Sequence, residues 1–511
     1  MIEFIYYSRI LPDHHSAILM QYTLSYSEPQ KHYIDIEVVV ENIHTAIIYV
    51  QLPAWRPGRY ELANFAKNMT KLQAFDLHGK SLQVSKVKKD RWQVQAAGNA
   101  SIKLNYSYYA QQMDAGGSWL DEKQLYINFI NCMVYVEGRL LEPCLVKLLL
   151  PDNYQIACGL EEVKKHILVA RDYYQLVDSP MIASNTLIHR SYQIEAATFH
   201  IWVQGEAGSL DWPQLLADFQ KFSEVQMTMM GGFPCKDYHF LLHWLPFQHY
   251  HGVEHQNSTV ITLGPASQAI TLYPELLGIS SHELYHTWNV IRIRPAELLP
   301  YDFTGENYFT TGFVAEGVTT YYGDLFLARA GVFSIEAYFT ELSQTLNRHF
   351  MVANQASLSL LESSFDLWLD GYTAGATGRK VSIYHKGALA ALILDLEIRQ
   401  LTQDARSLDD VMQYMWKRFG QIEKGYTLAD YKKAVDTVAG QDYNQYFEEC
   451  IEGRGSSEER LTQALAYVGC LLHVQPNEQI PGNIIVQVAL NPQRSASAEV
   501  HLQNWTGYKK I

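Results

Sequence analysis

The feature that most constrains this chain is a change of hydrophobic period partway along it. Up to about residue 200 the apolar residues fall in short segments: Ile34 to Val40, Ala46 to Leu52, Trp92 to Val94, Ile102 to Tyr108 and Leu145 to Leu150. These are rich in β-branched and aromatic side chains and separated by Gly, Pro, Asp and Asn, the pattern of an all-β, sandwich-like domain. Beyond Thr311 the spacing is helical, over Val314 to Arg329, Ile335 to Phe350, Val381 to Leu401, Leu408 to Phe419, Leu428 to Val438 and Tyr443 to Gly453. Between them lies a mixed stretch, helical from about Leu210 to Met227, extended at Tyr238 to Leu245 and Thr259 to Leu263, and helical from Pro274 to Asn289. A chain of 511 residues is too long for one core. The pattern predicts a multidomain α+β protein: a β domain over 1–205, an α/β unit over 206–330, a helical bundle over 331–455 and a short β appendage over 456–511. Gly453-Arg454-Gly455-Ser456-Ser457 reads as the linker to that appendage, with Ile484 to Val488 and Glu499 to Leu502 as its strands.

Charge and cysteine usage narrow the function classes. A net charge of -14 with a pI near 5.7 argues against a polyanionic partner, because phosphate contacts need clustered Lys and Arg. No nucleic-acid partner is expected. The cysteines at 132, 144, 158, 235, 450 and 470 form no CxxC and read as plain thiols. Met1-Ile2-Glu3-Phe4-Ile5 carries an acid where a signal peptide carries a base, and about 18 consecutive apolar residues are found nowhere. A cytoplasmic location with no membrane contact is the expectation.

His282-Glu283-Leu284-Tyr285-His286 carries the chemistry. Residues four apart share a helix face, so the two imidazoles can converge on one Zn2+ while Glu283 reaches a water beside it. The competing reading takes Ser280-Ser281-His282-Glu283 as a capping box, with Glu283 satisfying backbone donors at a helix start. A metal site needs a third ligand, and Glu316, followed by Gly317, is the candidate; otherwise it is an acid placed favourably near a helix N-terminus. Asp324 lies eight residues on, placed either to orient a ligand imidazole or simply as an exposed acid. Strands followed by such a helix resemble the layout of thermolysin-like peptidases. His239, His243, His249 and His251 crowd one segment but read as strand-face histidines, and Arg292 and Arg294 either line the cleft or pair with acids.

Several blocks in order are far more specific than HExxH alone. Ser281 to Val290, Arg292-Ile293-Arg294-Pro295, Glu306-Asn307-Tyr308, Glu316 to Tyr322 and, upstream, Leu52-Pro53-Ala54-Trp55-Arg56-Pro57-Gly58-Arg59-Tyr60 together resemble the zinc-dependent glycyl aminopeptidase family over roughly residues 1 to 455. The resemblance implies two further roles. His251-Gly252-Val253-Glu254-His255 is similar to the family's Gly-Gly-x-Glu-His segment, which implies that Glu254 binds the α-ammonium of a peptide; His251 stands where the family usually has Gly, which bears on pocket width. Tyr384-His385-Lys386-Gly387 is similar to a block whose tyrosine faces the zinc, which implies that Tyr384 donates to the oxyanion. Relatives often end in a PDZ-like domain, and Tyr467-Val468-Gly469-Cys470-Leu471-Leu472 resembles its beginning, truncated or reduced here.

The resulting expectation is an aminopeptidase holding one Zn2+ on His282, His286 and Glu316, with Glu283 as general base. It would act on peptides with a free N-terminal Gly or Ala. The rivals are an endopeptidase of the same fold and a non-catalytic peptide-binding relative. Oligomeric state is not written in these residues.

Overall fold

The computed structural model describes residues 20–206, 210–353, 357–373 and 375–508; the amino-terminal Met1-Ile2-Glu3-Phe4-Ile5 lies outside them. Alternation builds the first domain as expected. In the strand Tyr33–Val40 the side chains of Ile34, Ile36, Val38 and Val40 are buried, while Tyr33 and Asp35 face outward. That strand pairs antiparallel with Met20–Ser25 and Ile102–Tyr109 inside an eight-stranded sheet. A five-stranded and a four-stranded sheet complete the β-rich domain around Tyr22, Val50, Val94, Leu104 and Val146.

The boundary of this domain differs from the expected 205. Strands Ile188–Ile194 and Ala197–Gly205 join a second five-stranded sheet, in which Ala197–Gly205 runs parallel to Asp237–Trp244. Alternation identifies a strand without saying which sheet it enters, because pairing partners are chosen by packing. The order continues through Ser258–Gly264 to His249–Glu254, which pairs on one side only and forms the sheet edge.

The HExxH helix, Tyr273–Tyr285, packs on this sheet. It stops four residues before the expected Asn289, and Val290 then takes φ 100°, a strained backbone for a β-branched residue costing about 1–3 kcal/mol. The Glu316 element is a π-helical turn, Phe313–Val318, running into the α-helix Thr319–Arg329. The helix Ile335–Ala353 follows, then His385–Thr402, whose first turn is preceded by Tyr384. Gly317 and Gly387 bring two of these elements together: a Cβ on Gly387 would lie 2.7 Å from the Gly317 Cα, and one on Gly317 2.5 Å from the Gly387 Cα. No described helix is long and apolar enough to cross a membrane.

The expected helical bundle and appendage are not separate bodies. One continuous core of buried apolar side chains runs from Tyr192 through Leu392 to Trp505. The carboxy-terminal region contains a helix, Glu458–Tyr467, and a hairpin of Cys470–Pro476 with Ile484–Leu490. Asn347 clasps this hairpin, donating to Val486 O at 2.8 Å and accepting from Val486 N at 2.7 Å. Glu499 to Leu502, expected as a strand, lies within the helix Ala496–Thr506. Ser495 caps its start by accepting from Ala498 N, Gly507 ends it at φ 74°, and Ala498, Leu502 and Trp505 form the buried stripe.

The glycine crossing gives a test. Gly387→Ala should destabilise the helical core by roughly 1–3 kcal/mol through overpacking. Gly305→Ala, where an added Cβ meets nothing within 4 Å, should leave the thermal midpoint nearly unchanged. Melting curves of both variants by circular dichroism make the comparison.

Candidate active site

The HExxH helix and the π-helical turn bring three expected ligands together. His282 Nε2 and His286 Nε2 are 3.0 Å apart, and Glu316 Oε2 lies 3.8 Å from the first and 3.4 Å from the second. His286 and Glu316 are buried, at 1% and 3% exposure. His286 Nδ1 donates to Asn289 O at 2.8 Å, which turns Nε2 toward the cluster. Asn289 also ties the two elements directly, since its side-chain amide donates to Val314 O at 2.8 Å and to Thr319 Oγ1 at 3.0 Å. Asn289 lies within the Ser281 to Val290 block, but nothing in the sequence marks it as the tie between the two elements.

Glu283 is no capping residue. Ser280 and Ser281 sit well inside the helix, and Glu283 Oε2 is buried with no hydrogen-bond partner. Its carboxylate faces the edge strand, where a Cβ on Gly252 would fall 2.2 Å from Oε1. Glu254, two residues along that strand, points the same way by alternation. Carboxylate or imidazole atoms of Glu254, Glu283 and His286 all lie within 4.8 Å of one another. Among the described residues, this triple and the His282, His286 and Glu316 group are the two that could hold a metal.

Such a cluster is electrostatically uneasy. Burial, reinforced by Glu254 and Glu316, holds the Glu283 carboxyl well above the ordinary carboxylate range. Burial alone would lower the His286 value, but Glu316 beside it, with Glu254 and Glu283, carries it up to about 10. Burial and the neighbouring His286 push His282 well down, leaving it neutral. An imidazolium at His286 therefore stands where a divalent cation would serve better: two convergent imidazole nitrogens and a buried carboxylate are a zinc donor set, and the cation would displace one proton.

The cavity around these residues measures about 560 Å³. The β domain contributes Gly58, at φ 78°, where an added Cβ would lie 2.7 Å from Glu254 Oε2. That loop is anchored by Trp55, which is fully buried, donates from Nε1 to Asp302 O at 2.7 Å and meets Trp368 edge-on. Tyr384 reaches the cavity from the start of its helix, its phenol held protonated by burial and by Glu316. Tyr372 lines the same wall and donates to Gly58 O at 3.4 Å; nothing in its sequence context marked it. His251 also lines the cavity, its Nδ1 4.0 Å from Asp114 Oδ1 of the β domain.

Other expected residues fall elsewhere. His239 accepts from Trp202 Nε1 at 3.2 Å and His243 meets Gln124 Oε1 at 3.2 Å, both on the sheet. Arg292 donates to Thr287 O at 2.7 Å and Arg294 to Ile291 O at 2.8 Å, so both brace the chain leaving the HExxH helix. Asp324 lines the cavity with Oδ1 facing Gly278 and makes no hydrogen bond to either imidazole.

A catalytic-looking cluster of this composition beside a free sheet edge places the chain among the peptidases. Two family models match: the peptidase M61 N-terminal domain over residues 21–185 and the M61 glycyl aminopeptidase over residues 275–390, together more than half of the chain. The chain belongs to the M61 glycyl aminopeptidase family. It is similar to an aminopeptidase N family protein from Idiomarina loihiensis at 25% identity and a TM-score of 0.84, covering 91% of this chain and 81% of that one. It also shares its fold with a mutant M1 zinc metallopeptidase from Deinococcus radiodurans bound to a Tyr-Ser-Ala substrate, at 14% identity and a TM-score of 0.52 over 86% of this chain and 94% of that one. No curated protein matches the sequence.

Asp324 supplies a test by pH. Burial, with Glu341 as a like charge nearby, raises its carboxyl to about 7. The folded state then binds a proton that the unfolded chain releases near pH 4, so this group erodes stability as pH rises from about 4 to about 7. Asp324→Asn should match the wild type near pH 4 and exceed it by on the order of 2 kcal/mol above pH 7. Thermal unfolding across that range reads the difference.

Proposed function

We propose that this peptidase is a zinc-dependent aminopeptidase that removes a small N-terminal residue, Gly or Ala, from peptides. The observation that carries the reading is the placement of Glu254 within 4.8 Å of the Glu283 and His286 site atoms. A buried carboxylate there pairs with an α-ammonium and fixes how far a peptide can enter, so that the first peptide bond meets the hydrolytic groups. The substrate lies along the open side of the strand His249–Glu254 and adds to the sheet as a further strand. Gly58 stands close to Glu254, with Tyr372 and Tyr384 on the same cavity wall, and the preference for Gly or Ala rests on the family to which the chain belongs.

His282, His286 and Glu316 are the proposed zinc ligands. Zinc there supplies Lewis acidity, making water acidic enough to attack near neutral pH. Glu283 takes the proton from the attacking water and returns it to the departing amine. Its buried oxygen, without a hydrogen-bond partner, is free to accept that proton. Tyr384, held protonated, donates a hydrogen bond to the oxyanion as the carbonyl becomes tetrahedral.

Hydrolysis of glycyl and alanyl arylamides, set beside the same peptides with acetylated N-termini, tests the reading. Free N-termini should be cleaved and blocked ones spared; equal rates on both mean an endopeptidase, and no cleavage of either after zinc loading means a binding protein. Glu283→Gln should lower kcat by roughly 10²–10⁴-fold while zinc content and KM hold. Glu254→Gln should chiefly raise KM for substrates with a free amine.

A further inference from the structure

The carboxy-terminal helix Ala496–Thr506 ends on a buried polar network that touches both helices behind the active site. Trp505 is fully buried, and its Nε1 donates to the Tyr321 hydroxyl at 2.7 Å. Tyr321 in turn donates to Asp395 Oδ2 at 2.5 Å. Tyr321 follows Glu316 by five residues on the ligand-bearing element, and Asp395 follows Tyr384 by eleven, about three turns along its helix. The Tyr321 to Asp395 bond therefore cross-links the element carrying Glu316 to the helix that begins beside Tyr384.

Two arginines repeat the connection. Arg329, at the end of the helix Thr319–Arg329, donates from Nε to Trp505 O at 2.9 Å. Arg399, on the helix His385–Thr402, donates from Nη1 to Asn504 O at 3.3 Å and from Nε to Asp395 Oδ1 at 3.1 Å. The last carbonyls of a helix carry partial negative charge, so each of the two catalytic-side helices presents a guanidinium to the end of the terminal one. Asp409 balances Arg329 at 3.0 Å and accepts from Tyr322 at 2.7 Å. At the other end of the crossing, Gly317 and Gly387 meet backbone to backbone.

We infer that the carboxy-terminal helix, through Trp505, holds the Glu316 element and the Tyr384 helix at the spacing the site requires. Trp505 is a positioning residue, and the inference rests on the roles proposed above for Glu316 and Tyr384. A Cβ-free crossing at Gly317 and Gly387 acts as the pivot, and the Trp505, Tyr321 and Asp395 chain fixes the angle on its far side.

Zinc affinity of the metal-free full-length protein, measured by competition with a chromophoric chelator, is the primary readout, with kcat and KM on an alanyl arylamide beside it. Trp505→Phe keeps a ring against Tyr338 and Phe339 but removes the N–H donor. It should weaken zinc binding and lower kcat by roughly 3- to 10-fold each, with KM nearly unchanged. His501→Ala, on the same helix as Trp505, removes a 2.6 Å contact to Asp404 without touching Tyr321, and should lower the melting temperature alone. Tyr321→Phe cuts the link from the other side, and the double variant should be no worse than the worse single.

A melting temperature lowered in Trp505→Phe with zinc affinity and kcat intact overturns the inference. So do zinc affinities that track stability equally in both helix variants, or losses that add in the double variant. If Trp505→Phe does not fold, Tyr321→Phe against His501→Ala decides on the same readouts. A wild-type protein that binds no zinc sinks the proposed function instead, which separates the two failures.

Discussion

Three carboxylates and two imidazoles are gathered in one buried cavity, and much of the surrounding fold keeps them there. Glu254, Glu283 and Glu316 are each at most 6% exposed, so water cannot screen them from one another. A proton on His286, whose value these carboxylates raise to about 10, would answer part of that charge. A divalent cation answers it better, because it neutralises two charges where the proton neutralises one. The strained turn at Val290, the amide of Asn289 and the glycine crossing at Gly317 and Gly387 all serve to hold like charges near each other.

The two halves of the chain meet at this cluster. The β domain does more than cover the cleft, because its Trp55 anchor pushes Gly58 against Glu254. A larger residue at that point would displace the carboxylate proposed to read the peptide amine. From the opposite side, the carboxy-terminal helix joins the same core through Trp505 rather than standing apart as an appendage.

Much of this was legible in the residues. Period-two alternation marks the strands from Tyr33–Val40 onward, and helical spacing alone places His282 and His286 on one face. Partners across the chain were less visible. Ile188–Ile194 and Ala197–Gly205 fall within the strand-rich first 205 residues but join the second sheet, because sheet membership is decided by packing over long separations. Glu499 to Leu502 looked extended since Val500 and Leu502 alternate with polar residues over only four positions; the cap at Ser495 and the stripe ending at Trp505 decide for a helix. Tyr372 had no signal at all, one tyrosine among 34, and gains meaning only beside Gly58.

X-ray absorption at the zinc edge of the purified, zinc-loaded protein bears most directly on the central assignment. Two imidazole nitrogens and carboxylate or water oxygen at about 2.0–2.2 Å, with no sulfur, are expected. Glu316→Gln should change that first shell, and Glu254→Gln should leave it as it was. A shell containing sulfur, a single histidine, or a spectrum indifferent to Glu316→Gln would contradict the assignment of His282, His286 and Glu316 as the metal centre.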